Sequence, residues 1–133
     1  MKKKKEDFYK KITNWASKKG FKNIKANTEG YETPKSFTRT TSKSGDDEVT
    51  PDATAVNHGI KCYFEIAMKP NDRTIRQRLI SKWKLLSFLA ERKGGQLYLF
   101  APHGNKSFTQ KMMSQYGIKA RFVSLSKVPM PSS

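Results

Sequence analysis

A tight turn at Asn57-His58-Gly59 separates two stretches of alternating side chains, Asp52–Val56 and Cys62–Lys69, and this constrains the fold more than any other feature. Glycine tolerates positive φ and asparagine is common in such turns, so the segment predicts a β-hairpin. Successive strand side chains point to opposite faces. Cys62, Phe64, Ile66 and Met68 therefore fall on one face, and Tyr63, Glu65, Ala67 and Lys69 on the other. The first face is apolar and expected to be buried. The second is expected to present Glu65 and Lys69 on a surface that Asp52 joins.

Around this hairpin the chain reads as alternating helices and strands. Asp7 to Lys19 predicts a helix with Phe8, Ile12 and Trp15 on one stripe and Gly20 as its cap. Phe21 to Lys25 reads as a short strand or as the end of that helix's packing. Residues 26–50 are polar and rich in Thr, Ser, Lys and Gly, and read as a mobile loop region with room for a strand near Ser36–Thr41 and a loop at Ser42–Asp47. Pro70-Asn71-Asp72 ends the hairpin and offers an N-cap for a long helix, Arg73–Lys93, with Ile75, Leu79, Trp83, Leu86 and Leu89 as its buried stripe and Gly94-Gly95 as its stop. A strand at Gln96–Phe100, a helix at Lys106–Tyr116 capped by Gly117, and a strand at Ile118–Leu125 complete residues 1–126 as a single domain. Phe108 and Met112 face inward on that helix, and residues 127–133 read as a flexible tail. Lys61 to Phe100 is strand, crossover helix, strand, a unit that pairs in parallel. The fold class that follows is α/β, a central mixed β-sheet flanked by helices.

Charge narrows the partners. The 133 residues carry 27 Lys and Arg against 11 Asp and Glu, a net charge of +16, which favours polyanions, nucleic acid before an anionic membrane surface. No run approaches the roughly 20 apolar residues that span a bilayer. Met1-Lys2-Lys3-Lys4-Lys5 is followed by Glu6-Asp7 where a signal peptide would have its apolar core. The expectation is a soluble, unsecreted, cytoplasmic protein of a bacterial cell or phage-infected host. The single cysteine, Cys62, excludes an internal disulfide and a cysteine-based zinc cluster, and His58 and His103 sit beside glycines without a partner at ligand spacing. No nucleophile elbow and no Walker loop occurs.

Two carboxylates and an amine above a sheet suit a divalent cation and a phosphate, and in so basic a chain they suggest phosphodiester chemistry. Pro51-Asp52, Glu65 on the next strand, Lys69-Pro70-Asn71-Asp72-Arg73 after it and Gln77 early in the helix together resemble the PD-(D/E)XK nuclease superfamily. The likeness is greatest to its small VRR-NUC-type and Holliday-junction-resolvase-like members and covers roughly Gly45 to Pro102. It implies a restriction-endonuclease-like core (αβββαβ) with an extra C-terminal helix and strand. It implies Mg²⁺ or Mn²⁺ held by Asp52, Glu65 and the backbone carbonyl of Ile66, with Glu6 or Asp7 as a further ligand. The activity implied is a metal-dependent endonuclease on DNA, structure-selective for branched or flapped substrates, and resolvase-like relatives work as homodimers. The family pattern places lysine at 67, where this chain has Ala67; Lys69 lies on the same face, and Lys61, Lys82 or an arginine of the long helix are alternatives. Gln77, Arg73, Arg76, Lys82, Lys35, Arg39 and Lys43 are the expected nucleic-acid contacts, with Arg78, Lys84 and Lys2–Lys5 as further cations.

Two other readings fit the same residues. A catalytically impaired member of that fold would bind nucleic acid without cutting it, and Ala67 favours this. A basic structural or packaging protein would carry Asp52 and Glu65 merely as ion-paired surface acids.

Overall fold

A computed structural model describes residues 2–41 and 45–131, with the backbone alone at 2–4, 39–41 and 45–47. Its elements in chain order are α1 (Lys2–Lys18), β1 (Lys22–Ala26), β2 (Phe37–Thr41), β3 (Gly45–Val49), β4 (Ala53–Asn57), β5 (Ile60–Ile66), α2 (Arg73–Arg92), β6 (Leu97–Ala101), α3 (Lys106–Tyr116) and β7 (Arg121–Ser124), followed by a 3-10 turn at Leu125–Lys127. Five strands form one mixed sheet in the order β1-β4-β5-β6-β7, and β2 and β3 form a separate two-stranded sheet. β1, β4 and β5 run antiparallel in sequence, whereas β5, β6 and β7 are parallel. The expected α/β class and mixed sheet are thus present.

The central hairpin forms as its turn chemistry dictates. His58 and Gly59 both adopt positive φ, 52° and 77°, which closes a two-residue connection between Asn57 and Ile60. Cys62, Phe64 and Ile66 join Phe8, Tyr9, Ile12 and Ala16 of α1 in one core cluster. Trp15, Phe21, Phe64, Tyr98 and Phe100 add edge-on ring pairs with centroids 5.2–6.1 Å apart. The opposite face is buried too: Tyr63, Ala67, Leu97 and Leu99 pack beneath Ile80, Trp83, Leu86 and Ala90 of α2.

That second core corrects the expectation of an open surface carrying Glu65. A parallel strand pair with its crossover helix is covered on the helix side, so Tyr63, Glu65 and Ala67 are all buried. The alternation also ends sooner than expected. β5 stops at Ile66, so Met68 is 41% exposed instead of buried and Lys69 is no longer held to the strand face.

α2 is capped by Asp72, whose carboxylate accepts from the amides of Thr74 (2.7 Å) and Ile75 (3.2 Å). Ile75, expected in its buried stripe, is 55% exposed, because the first turn runs past the sheet and burial begins at Ile80. Gly95, just after α2, lies against the Lys61 carbonyl so closely that a Cβ there would overlap it. α1 starts at Lys2 rather than Asp7. Where a loop was expected at Ser42–Asp47, residues from Gly45 onward pair with β2, Thr41 opposite Gly45 and Phe37 opposite Val49. Lys43 lies outside the described residues, and Arg39 is described by its backbone alone. Val128, placed in a flexible tail, is buried in the α1-side core. No described helix is long and apolar enough to cross a membrane.

Candidate metal centre

The two acids singled out from the sequence meet where β4 begins and β5 ends. Proline at 51 has no amide donor to offer a sheet, and Pro51-Asp52 is held instead by Asn27, just past β1. The amide of Asn27 donates to the Asp52 carbonyl (3.0 Å), and the Asn27 side-chain amide donates to the Pro51 carbonyl (3.1 Å). Ala53 pairs with Phe64, which sets Asp52 beside Glu65. The two residues then bond crosswise: the Asp52 amide donates to Glu65 Oε2 (2.7 Å), and the Ile66 amide donates to Asp52 Oδ2 (2.8 Å).

Lys82, from the middle of α2, completes the group. Its Nζ is 3.1 Å from Glu65 Oε2 and 3.8 Å from Asp52 Oδ1. From α1, the Tyr9 hydroxyl donates to Asp52 Oδ1 at 3.4 Å. The Glu65 side chain is fully buried, whereas those of Asp52 and Lys82 keep 17% and 23% of their surface exposed. Any ligand therefore approaches over Asp52 and Lys82, with Glu65 at the floor.

Electrostatics follow from that layout. Burial, and then the Asp52 charge, push the Glu65 carboxyl up from 4.5 to about 8, although Lys82 and the Asp52 amide pull the other way. Burial and the two carboxylates likewise push the Tyr9 phenol up, so it remains a hydrogen-bond donor. Glu65 Oε1 is buried with no hydrogen-bond partner, one of two such side-chain atoms among the described residues, the other being Trp83 Nε1.

An orphaned carboxylate oxygen beside a second carboxylate fits a hard divalent cation. Mg²⁺ in particular is held by one or two protein carboxylates and keeps its remaining positions for water and phosphate oxygens. Asp52 and Glu65 would hold such an ion. Among the described residues no group of three or more His, Cys, Asp or Glu side chains gathers at one point.

The remaining expected residues are placed as follows. Lys69 is exposed past the end of β5, where its amide donates to Asn105 Oδ1 (2.8 Å); among the described residues its ammonium forms no ion pair with Asp52 or Glu65. Lys61 stacks on Phe37 and Tyr63 and does not pair with Glu65. Glu6 is exposed one helical turn before Tyr9 and, among the described residues, makes no hydrogen bond or ion pair to the site. Arg73 and Gln77 are exposed and Arg76 half-buried on the first turns of α2, and Arg78 lies one turn before Lys82 on its stripe. Lys35 is exposed in the segment before β2.

Tyr9 is the site residue that sequence reasoning missed. Helical spacing signals its burial but not its contact with Asp52, since Tyr9, Ile12, Thr13 and Ala16 form a second stripe on α1, all of it buried. Compared with models of known families, with curated proteins and with solved structures, the chain matches none.

Proposed function

We propose that this protein is a metal-dependent nuclease that hydrolyses DNA phosphodiester bonds at the Asp52–Glu65–Lys82 centre. The observation that carries the reading is Glu65 Oε1, a buried carboxylate oxygen without a donor, on the carboxylate whose Oε2 meets Lys82 and the Asp52 amide. A hydrogen-bonded structural ion pair would satisfy that atom; a cation site leaves it free for the ion.

The order of elements supports the same reading. Without the β2–β3 hairpin, the chain runs α1-β1-β4-β5-α2-β6, an αβββαβ succession with acids at the start of its second strand and near the end of its third. That is the arrangement expected of a restriction-endonuclease-like core, with α3 and β7 as the additions. Lys82 takes the part that the family pattern gives to a lysine at 67.

A divalent cation bound by the carboxylates would lower the pKa of a coordinated water and offset charge developing on the phosphate. The chain's own residues do the rest. Lys82 is the cation at the open rim and would stabilise negative charge on the phosphate oxygens or orient the attacking water. Tyr9 and the Ile66 amide fix Asp52 from opposite sides, so its carboxylate is held before substrate arrives. Selectivity for branched or flapped DNA belongs to this proposal through the family likeness.

The test uses labelled single-stranded, duplex, flapped and four-way DNA with Mg²⁺ or Mn²⁺, and the variants Asp52→Ala, Glu65→Gln, Lys82→Ala and Lys69→Ala. The proposal expects metal-dependent cleavage by the wild type, lost in both acid variants and reduced roughly 100-fold or more in Lys82→Ala, with Lys69→Ala close to wild type. Binding without cleavage in either metal would overturn it in favour of a catalytically impaired nucleic-acid-binding protein.

A further inference from the structure

Four lysines from four separate parts of the chain converge at the far end of the sheet face that carries Glu65. They are Lys25 on β1, Lys35 in the segment before β2, Lys61 at the start of β5 and Lys93 at the C-terminal cap of α2. Strand register sets Lys25 and Lys61 on one face. Lys25 is opposite Thr54 and Thr54 opposite Tyr63, while Val56 is opposite Lys61, so all five share the side covered by α2. The approach of Gly95 to the Lys61 carbonyl brings the end of α2, with Lys93, against the same strand, and the Tyr63 amide donates to the Gln96 carbonyl (3.0 Å) to fix it there.

Lys61 is the centre of the group. Its ammonium lies over the rings of Phe37 (5.7 Å) and Tyr63 (5.5 Å), which support its stem and limit its motion. Burial, followed by the charges of Lys25, Lys93 and Lys35, pushes its ammonium below the ordinary lysine value. Beside it is an open cleft of about 450 Å³ lined by Asn23, Lys25, Glu32, Thr54, Val56 and Lys61. Glu32 pairs with Lys25 at 3.1 Å; among the described residues no carboxylate pairs with Lys35, Lys61 or Lys93. The fold thus gathers like charges against their repulsion, and among the described residues three of the four have no ion-pair partner.

We propose that the Lys25–Lys35–Lys61–Lys93 cluster is a second phosphate-binding site, which grips the backbone of a nucleic-acid substrate beyond the carboxylate centre. Lys61 and Glu65 are four residues apart on one strand face, about 13 Å by strand rise. Phosphates along one strand of a duplex rise about 3.4 Å each along the axis while winding round it, so the cluster meets the backbone within a few nucleotides of a phosphate at Glu65. The contact is to phosphates alone, and it fixes the direction in which the substrate crosses the sheet without reading sequence. This rests on the nuclease reading for the position of the scissile phosphate, but its test does not use cleavage.

The test is binding of a fluorescent DNA duplex in EDTA, followed by anisotropy from roughly 50 to 300 mM salt. Lys25→Gln/Lys61→Gln/Lys93→Gln is compared with Lys18→Gln/Lys111→Gln/Lys127→Gln, which removes the same charge elsewhere, and urea midpoints confirm that both fold. Each phosphate contact contributes about 0.9 to the slope of log K against log salt, so the cluster variant should lose about 2 to 3 from that slope and the control less than about 1. Equal losses in the two variants, or none in the cluster variant, would overturn the inference while leaving the nuclease reading intact. A wild type that does not bind DNA at low salt would overturn both.

Discussion

Replacing Glu65 with glutamine removes the one carboxyl among the described residues that the fold holds far above its ordinary range, and the result is readable as a pH-dependence of stability. In the folded chain that group titrates at about 8 instead of 4.5. Between those values the folded protein keeps a proton that the unfolded chain has released. The stability linked to Glu65 is therefore fully present below the unfolded pKa and lost as pH rises through the folded one. Within the window it falls by about 1.4 kcal/mol per pH unit. From pH 5 to 8 the loss is on the order of 4 kcal/mol, a large share of the roughly 5–15 kcal/mol that holds a typical domain together.

Glu65→Gln cannot ionise and should lack that slope. Its amide leaves one buried group without a partner, as Oε1 already is, so a pH-independent offset of roughly 1–3 kcal/mol is expected. The decisive quantity is thus the difference between the two proteins as pH changes. Urea unfolding in EDTA at several values between about pH 5 and 8.5 measures it. The variant should gain on the wild type by on the order of 3–4 kcal/mol across that range. Added Mg²⁺ or Mn²⁺ should restore the wild type at the alkaline end and leave Glu65→Gln unmoved. Two stability curves that stay parallel with pH would refute the reasoning, because Glu65 would then not be an acid held protonated by burial.

Two further substitutions test the frame around the site. Gly95→Ala places a Cβ onto the Lys61 carbonyl and against Ile60, so the end of α2 must move; a loss of about 1–3 kcal/mol in urea unfolding is expected. Trp15→Ala removes the ring that touches Phe21, Phe64, Tyr98 and Phe100, and should lower stability by roughly 3–5 kcal/mol, read as a lower thermal midpoint.

Where local chemistry decides the structure, the sequence was legible. The Asn57-His58-Gly59 turn, the Asp72 cap and the αL cap at Gly117 each follow from a backbone requirement that few residues meet. β3 was not legible, because Gly45–Val49 is acidic and lacks alternation; its strand form comes with its partner, Thr38 opposite Glu48 and Arg39 opposite Asp47. Among the site residues, Asp52 and Glu65 could be found from a proline and a strand period. The pairing of Lys82 and Tyr9 with them depends on how closely two helices approach the sheet, a tertiary quantity that no local pattern encodes. Lys69 does not pair with those acids among the described residues because β5 ends at Ile66, three residues before it.

Ala67 and Lys82 are best understood as two halves of one arrangement. Ala67 is fully buried on the Glu65 side of the strand, in the cluster with Ile80 and Trp83, and its amide donates to the Phe100 carbonyl (2.8 Å). A lysine there would have to thread its stem between α2 and the sheet, and overpacking of that kind costs about 1–3 kcal/mol. With a small residue at 67, α2 packs directly on the strand and supplies the cation from its own side. The arrangement is testable by exchange. Ala67→Lys alone should destabilise the protein without raising cleavage, since Lys82 already occupies the rim. In Ala67→Lys/Lys82→Ala the space left by the Lys82 stem is free, and the new ammonium starts on the same face as Glu65. Cleavage should then recover at least about tenfold over Lys82→Ala, equivalent to about 1.4 kcal/mol of barrier. A folded double variant no more active than Lys82→Ala would show that the two positions do not serve one centre, and that the helix lysine acts in some way a strand lysine cannot.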